Sequence, residues 1–142
     1  MNSAAKLFCD YLDQKNIKYS EIDSDTIRLN YRGENCPSIP VNFTFSDDGR
    51  NVTIYSFSIA KIDKEEGKQY LAALFTCSEL NKKYRWVKFY LDDDNEITAE
   101  DDAVIDPYTT GEECYKLLRH MVNIIDEAYP IIMTMVWGTG LI

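Results

Sequence analysis

Histidine is almost missing from this chain: His120 is the single one. That excludes multi-histidine metal sites and leaves one imidazole for any general-base role. Cysteines are few and scattered. Cys9, Cys36, Cys77 and Cys114 form no Cys-x-x-Cys pair, so no zinc site is expected. Cys9 and Cys114 fall in helical apolar patterns, and all four are read as reduced thiols acting as small core hydrophobes in a cytosol. Cys36, beside Pro37, sits in a loop and is the one of the four open to exposure. No run of eighteen apolar residues occurs, so no transmembrane helix is expected. Met1 to Cys9 lacks the basic and then apolar segments of a secretory signal. Walker, Rossmann and nucleophile-elbow motifs are missing too. Gly138-Thr139-Gly140 follows a helix instead of opening one, which makes it no phosphate cradle. Positive charge is also scarce. Fifteen Lys and Arg against 24 Asp and Glu leave a net charge of −9. Such a surface repels nucleic acid and anionic membranes, and it suits a basic or apolar partner.

What the chain does hold is apolar and aromatic. Its 142 residues are 45% hydrophobic and 13% aromatic, enough for a single domain over residues 1–142 with a full core. The strongest pattern runs from Glu112 to Trp137. Cys114, Leu117, Leu118, Met121, Val122, Ile125, Tyr129, Ile132, Met133 and Val136 recur in steps of three and four, which puts them on one side of a helix. Leaving its aliphatic residues wet would forfeit about 12 kcal/mol, more than a typical domain's stability, so the stripe must be covered. Past Pro130 the apolar character spreads around the helix, to Ile131 and Met135. Proline there predicts a kink or restart.

The remaining elements follow from capping and alternation. Ser3 is expected to cap a first helix with Leu7, Phe8, Tyr11 and Leu12 on one face, ending at Asn16. Residues 17–31 are β-rich, broken at Asp23-Ser24-Asp25. Val41, Phe43 and Phe45 alternate with polar residues, Asp48-Gly49 signals a hairpin, and Val52 to Ile59 returns with a phase shift between Ile54 and Tyr55 that predicts a bulge or a strand buried partly on both sides. Asp63 is expected to cap a second helix with Tyr70, Leu71, Leu74, Phe75 and Leu80 inward. Tyr84 to Leu91 and Glu96 to Ile105 form a second hairpin, and the last helix runs from Thr110 to Gly138. The order αβββαββα, with a mostly antiparallel sheet and helices packed on one face, defines a two-layer α+β domain.

Two segments resemble a known family. The run Leu80-Asn81, then Tyr84-Arg85-Trp86-Val87-Lys88-Phe89-Tyr90-Leu91-Asp92, resembles the helix-to-strand core of the YbjN family. Ile125-Asp126-x-x-Tyr129-Pro130-x-Ile132-Met133, followed by Trp137, resembles that family's last helix. The similarity spans essentially the whole chain. It implies the type III secretion chaperone-like fold and a regulatory role in sensory transduction, with no catalytic residues to carry over. The chain departs from the family in its aspartate-rich hairpin, where a glycine turn is more usual.

No constellation of residues carries chemistry. Asp92-Asp93-Asp94-Asn95-Glu96 invites a calcium reading, but an EF-hand loop from Asp92 needs glycine where Ile97 stands and glutamate where Ala103 stands. A solvated hairpin tip is the better account. His120 shares its helix face with Lys116, Arg119 and Asn123 and is expected to face water. No catalytic residue, metal or cofactor is expected. The candidate interaction residues are Tyr84, Trp86 and Tyr90, read with Lys88 as an aromatic patch on the open sheet face, and Ile131, Met135 and Trp137 on the last helix. The expectation is a non-catalytic, cytoplasmic protein-interaction domain, dimeric, binding a protein or peptide. The alternative is a small-molecule sensor or carboxylate-based enzyme, which requires acidic residues converging in a pocket.

Overall fold

A computed structural model describes residues 1–140. Its elements are α1 (Ser3–Gln14), β1 (Ser20–Glu21), β2 (Thr26–Tyr31), β3 (Ile39–Phe45), β4 (Asn51–Lys61), α2 (Gly67–Lys83), β5 (Lys88–Leu91), β6 (Glu96–Val104) and α3 (Thr110–Gly140). This is the expected order, with the segment before Asp23 reduced to the short β1. The six strands form one sheet in the order β1-β2-β3-β4-β6-β5, with every neighbouring pair antiparallel. Register lines up Ile27, Phe43 and Ile54 across three strands of one face. Helices cover that face. From α3 come Cys114, Leu118, Met121, Ile125, Ala128 and Ile132, all buried, as the long stripe required. From α1 come Ala4, Ala5, Phe8, Cys9 and Leu12, with Phe8 packed 4.7 Å from Phe43.

Several local expectations are corrected. Asn2, not Ser3, caps α1, its Oδ1 accepting from the amides of Ala4 and Ala5. The buried stripe of α1 is rotated accordingly, leaving Leu7 exposed and Tyr11 half-buried. The β4 bulge lies between Ser56 and Ala60, beyond the Ile54–Tyr55 position. Glu66 takes the cap position of α2. Thr110 is the first residue of α3, its hydroxyl donating to the Asp106 carbonyl, and the helix passes Gly138. Cys36 is buried, and its thiol donates to the Ser38 carbonyl.

The largest correction concerns α2. Its inward face is Gln69, Ala73, Cys77 and Leu80, while Leu71, Leu74 and Phe75 are exposed. Small residues at 73 and 77 let the helix approach α3 and β5 closely. Gln69 is tolerated inside because both ends of its amide are engaged. Its Oε1 accepts from the Asp63 amide at 2.7 Å, and its Nε2 donates to the Val136 carbonyl at 3.3 Å.

Two of the quoted family residues have structural roles that geometry explains. Asn81, at the end of α2, lies beside the outer edge of β5. Its Oδ1 accepts from the Phe89 amide at 2.7 Å and its Nδ2 donates to the Phe89 carbonyl at 3.1 Å. The amide thus stands in for a seventh strand and satisfies an edge that would otherwise invite pairing. Asn81→Ala is expected to cost about 1 kcal/mol and to accelerate hydrogen exchange at the Phe89 amide. Unchanged protection there would remove Asn81 from this role.

Asp126, on α3, holds the loop between β2 and β3. Its carboxylate accepts from the amides of Glu34, Asn35 and Cys36 at 3.1, 2.9 and 2.8 Å. These donors keep its pKa below the ordinary carboxylate value, the Cys36 amide contributing most. Pro130 completes the latch. It lacks the N–H that would bond the Asp126 carbonyl, and Asn35 Nδ2 donates to that carbonyl instead, at 3.2 Å. The helix therefore runs as one element through Pro130, without the expected restart. Gly33 gives the carboxylate its room: a Cβ there would lie 2.0 Å from Asp126 Oδ1.

Candidate interaction surfaces and an acidic pocket

The expected aromatic patch on the open sheet face does not form. Between α2 and β5 the chain is not extended. Trp86 has φ +70°, and the Val87 amide donates to the Arg85 carbonyl at 2.8 Å, which makes a strained γ-turn centred on Trp86. Strand alternation cannot cross such a turn. Tyr84 is half-buried on the helical side, its hydroxyl donating to Glu127 of α3 at 3.0 Å. Burial and that carboxylate push its pKa up to about 12. Trp86 also turns toward α3 and meets the His120 ring edge-on, with centroids 4.9 Å apart, while staying 63% exposed. Of the three, Tyr90 alone faces the open side.

That open face is a polar network. Arg28 Nε donates to Asn42 Oδ1 at 2.7 Å, and Thr44 shares its hydroxyl with Thr26 and Tyr55, each at 3.0 Å. Tyr90 donates to Glu100 at 2.8 Å, and Lys88 pairs with the same carboxylate at 3.1 Å. Cross-strand pairing of this kind stabilises a wet sheet face without an anchor for a partner.

Exposed apolar side chains occur off the helices, at Phe57, Val104 and Tyr108 among others, and on them, where α2 sets three together. Leu71 and Phe75 are each 67% exposed, and with Leu74 they form a ridge on the outer side of α2 at steps of three and four. The Gln69 contact with Val136 and the neighbouring Tyr84 bond to Glu127 run α2 antiparallel to the second half of α3. On that half Ile131 and Trp137 are exposed and Met135 is half-buried.

A cavity of about 390 Å³ opens where the end of β6 meets α3. Trp86, Asp101, Ala103, Val104, Leu117 and His120 line it. The unusual member is Asp101. It aligns with Ile27, Phe43 and Ile54 on the core face of the sheet and is only 6% exposed. Its Oδ2 is buried with no hydrogen-bond partner. Burial raises its pKa above the ordinary value and the Asp102 charge adds to the rise, while the Asp102 amide, His120 and Lys88 oppose it. Buried acceptors in folded proteins are almost always paired, so an orphan beside a cavity marks a place to look for function. A signal for this residue was available in the sequence: in a strand with Ile97 and Ala99 inward, alternation sends Asp101 inward as well.

The Asp92 hairpin spends its own oxygens. Asp92 Oδ1 accepts from the amides of Asp94 and Glu96, and Oδ2 accepts from the Thr98 hydroxyl at 2.8 Å. Asn95, at φ +59°, takes the left-handed position where glycine is more usual. Calcium is expected to bind this tip no tighter than about millimolar. A micromolar dissociation constant by calorimetry would sink that account.

A six-stranded antiparallel sheet with three helices on one face, ordered αββββαββα once the short β1 is counted, is a type III secretion chaperone-like architecture. One similar solved chain belongs to the heterodimeric ExoU–SpcU complex from the type III secretion system of Pseudomonas aeruginosa. It has a TM-score of 0.55 and 12% identity, over 89% of this chain and 94% of that one. A chain of the ExsC–ExsE complex gives a TM-score of 0.57 at 10% identity, over 93% and 97%. Identities this low speak for the fold alone. The chain belongs to the YbjN family, described as "Putative bacterial sensory transduction regulator", whose profile matches residues 5–132. No curated protein matches it in sequence.

Proposed function

We propose that this chain is a non-catalytic regulatory domain that binds a protein or peptide partner, and that it does so as a homodimer joined through the outer face of α2. The observation that carries this reading is the ridge of Leu71, Leu74 and Phe75. Three large apolar side chains at helical spacing are left in water by a fold that has already filled its core. Exposed apolar surface of this kind is characteristic of contact sites, and two-fold self-association is the commonest way to cover it. Ile131, Met135 and Trp137, on the neighbouring stretch of α3, extend the proposed surface. The similar chains come from complexes with another protein, which supports partner binding as the role. The four free, buried thiols suit a reducing cytoplasm, and no helix among the described residues is long and apolar enough to cross a membrane.

Light scattering at micromolar concentration tests the assembly. The expected mass is twice 16.4 kDa, falling to the monomer in Leu71→Lys/Phe75→Lys and in Met135→Lys. A wild-type monomer would overturn the dimer. Capture from native cytosol, with identification of what co-elutes, tests the partner. A specific protein retained by wild type supports the reading, and none retained counts against it. The cavity beside Asp101 favours a second reading, that of a small-molecule sensor, because a buried carboxylate does converge there on a concave site.

A further inference from the structure

We propose that the cavity between β6 and α3 is a binding site for an alkylguanidinium group, with Asp101 as its buried acceptor and Trp86 as its aromatic wall.

The sign of the ligand follows from which groups are already spent. Glu113 also lines the cavity, but its Oε1 accepts from the Thr109 hydroxyl at 2.6 Å and the Asp106 amide at 3.2 Å. Asp102 accepts from Thr53 at 2.9 Å and lies 3.8 Å from Lys88. Lys116, the one lysine of the lining, lies 3.9 Å from Glu112 one turn away. The acceptor of the lining that is both buried and without a partner is Asp101 Oδ2. A buried acceptor without a donor repels an anion and rewards a cationic donor. At 390 Å³ the cavity falls within the range of small-ligand sites.

The shape of the cation follows from the walls. Ala103, Val104 and Leu117 are apolar and suit an alkyl stem. Trp86 is held in the cavity wall by its γ-turn and by the edge-on His120 ring, yet most of it stays accessible. An ammonium ion needs three acceptors to replace its water, and the buried Asp101 oxygen supplies one of them. Guanidinium is more weakly hydrated and stacks on indole while donating in its own plane. The group can arrive on a free small molecule or on the arginine of a polypeptide. The proposal rests on Asp101 and the cavity, not on self-association, so it fails or holds separately from the dimer.

The test uses the full chain labelled with ¹⁵N, following the indole N–H resonance of Trp86, assigned by its loss in Trp86→Phe. The probes are n-propylguanidinium, N-acetyl-arginine methylamide and the neutral, isosteric N-acetyl-citrulline methylamide. Either guanidinium is expected to shift the resonance saturably, with a Kd on the order of 1 mM. Citrulline should bind about tenfold more weakly or worse, because it keeps the shape and loses the charge. Asp101→Asn should weaken the guanidinium probes by a similar factor, while the rest of its spectrum reports an intact fold. Tighter binding of the arginine amide assigns the site to a polypeptide, and tighter binding of propylguanidinium assigns it to a small molecule. The proposal is overturned by no saturable shift at tens of millimolar, by equal affinity for citrulline, or by an Asp101→Asn variant that binds as wild type does.

Discussion

Gly33→Ala is expected to unfold as readily as Asp126→Ala, each losing about 2–3 kcal/mol in urea at neutral pH. The two substitutions act on the same contact from opposite sides. Alanine at 126 removes the acceptor of three backbone amides. A methyl group at 33 would lie 2.0 Å from Oδ1 and displace the carboxylate from those amides. The double variant should therefore cost little more than either single one, a strong departure from additivity. The acid limb of the stability curve carries a second signature. The folded-state pKa of Asp126 is below its unfolded value of 3.8. Its contribution is thus complete above that value and is lost as pH falls through the lowered one. Gly33→Ala should flatten this limb. A Gly33→Ala variant within about 0.5 kcal/mol of wild type would refute the latch.

Asp101→Asn is expected to act in the opposite direction and stabilise the protein by about 1–2 kcal/mol at neutral pH. That is the scale of penalty for burying an incompletely paired polar group, here a charge that asparagine removes while keeping the shape. Here the folded pKa lies above 3.8, so the folded state holds its proton more tightly than the unfolded chain does. The Asp101 contribution to stability is greatest below 3.8, falls as pH rises through the raised value, and then stays low. Asparagine removes that fall. Thermal melts across the acid range should show the variant's advantage appearing only as pH climbs above the ordinary carboxylate value. An advantage that is equal at all pH values, or none at neutral pH, would mean that Asp101 is already satisfied in solution.

Most of the fold could be read from residue spacing, and the exceptions have physical causes. The α3 stripe and the alternation of Val41, Phe43 and Phe45 each point one way, and the structure turns them to the core, the strand residues buried and the stripe buried or half-buried. In α2 two faces compete. Hydropathy favours Leu71, Leu74 and Phe75, whereas packing selects Ala73 and Cys77, because a helix pressed against its neighbours needs small residues more than greasy ones. Sequence patterns report water-aversion, not the distance between axes. Trp86 escapes the pattern for a different reason: alternation assumes extended backbone, and a left-handed turn carried by tryptophan has no compositional signal. Tyr84 and Tyr90 were consequently assigned to one patch although they lie on different faces. Asp126 and Pro130 stood in the quoted family pattern, but their joint role depends on a loop ninety residues earlier in the chain.

The Asn81 clasp makes the sheet directional as a template. At one border the Phe89 peptide group is already taken by a side chain. At the other, β1 offers only the two residues Ser20–Glu21. Neither border gives an incoming segment a long ladder of main-chain bonds. A polypeptide recruited to this domain must then be read through its side chains, not through its backbone. Replacing its peptide N–H groups with N-methyl groups should cost little affinity, whereas trimming one anchoring side chain should cost most of it.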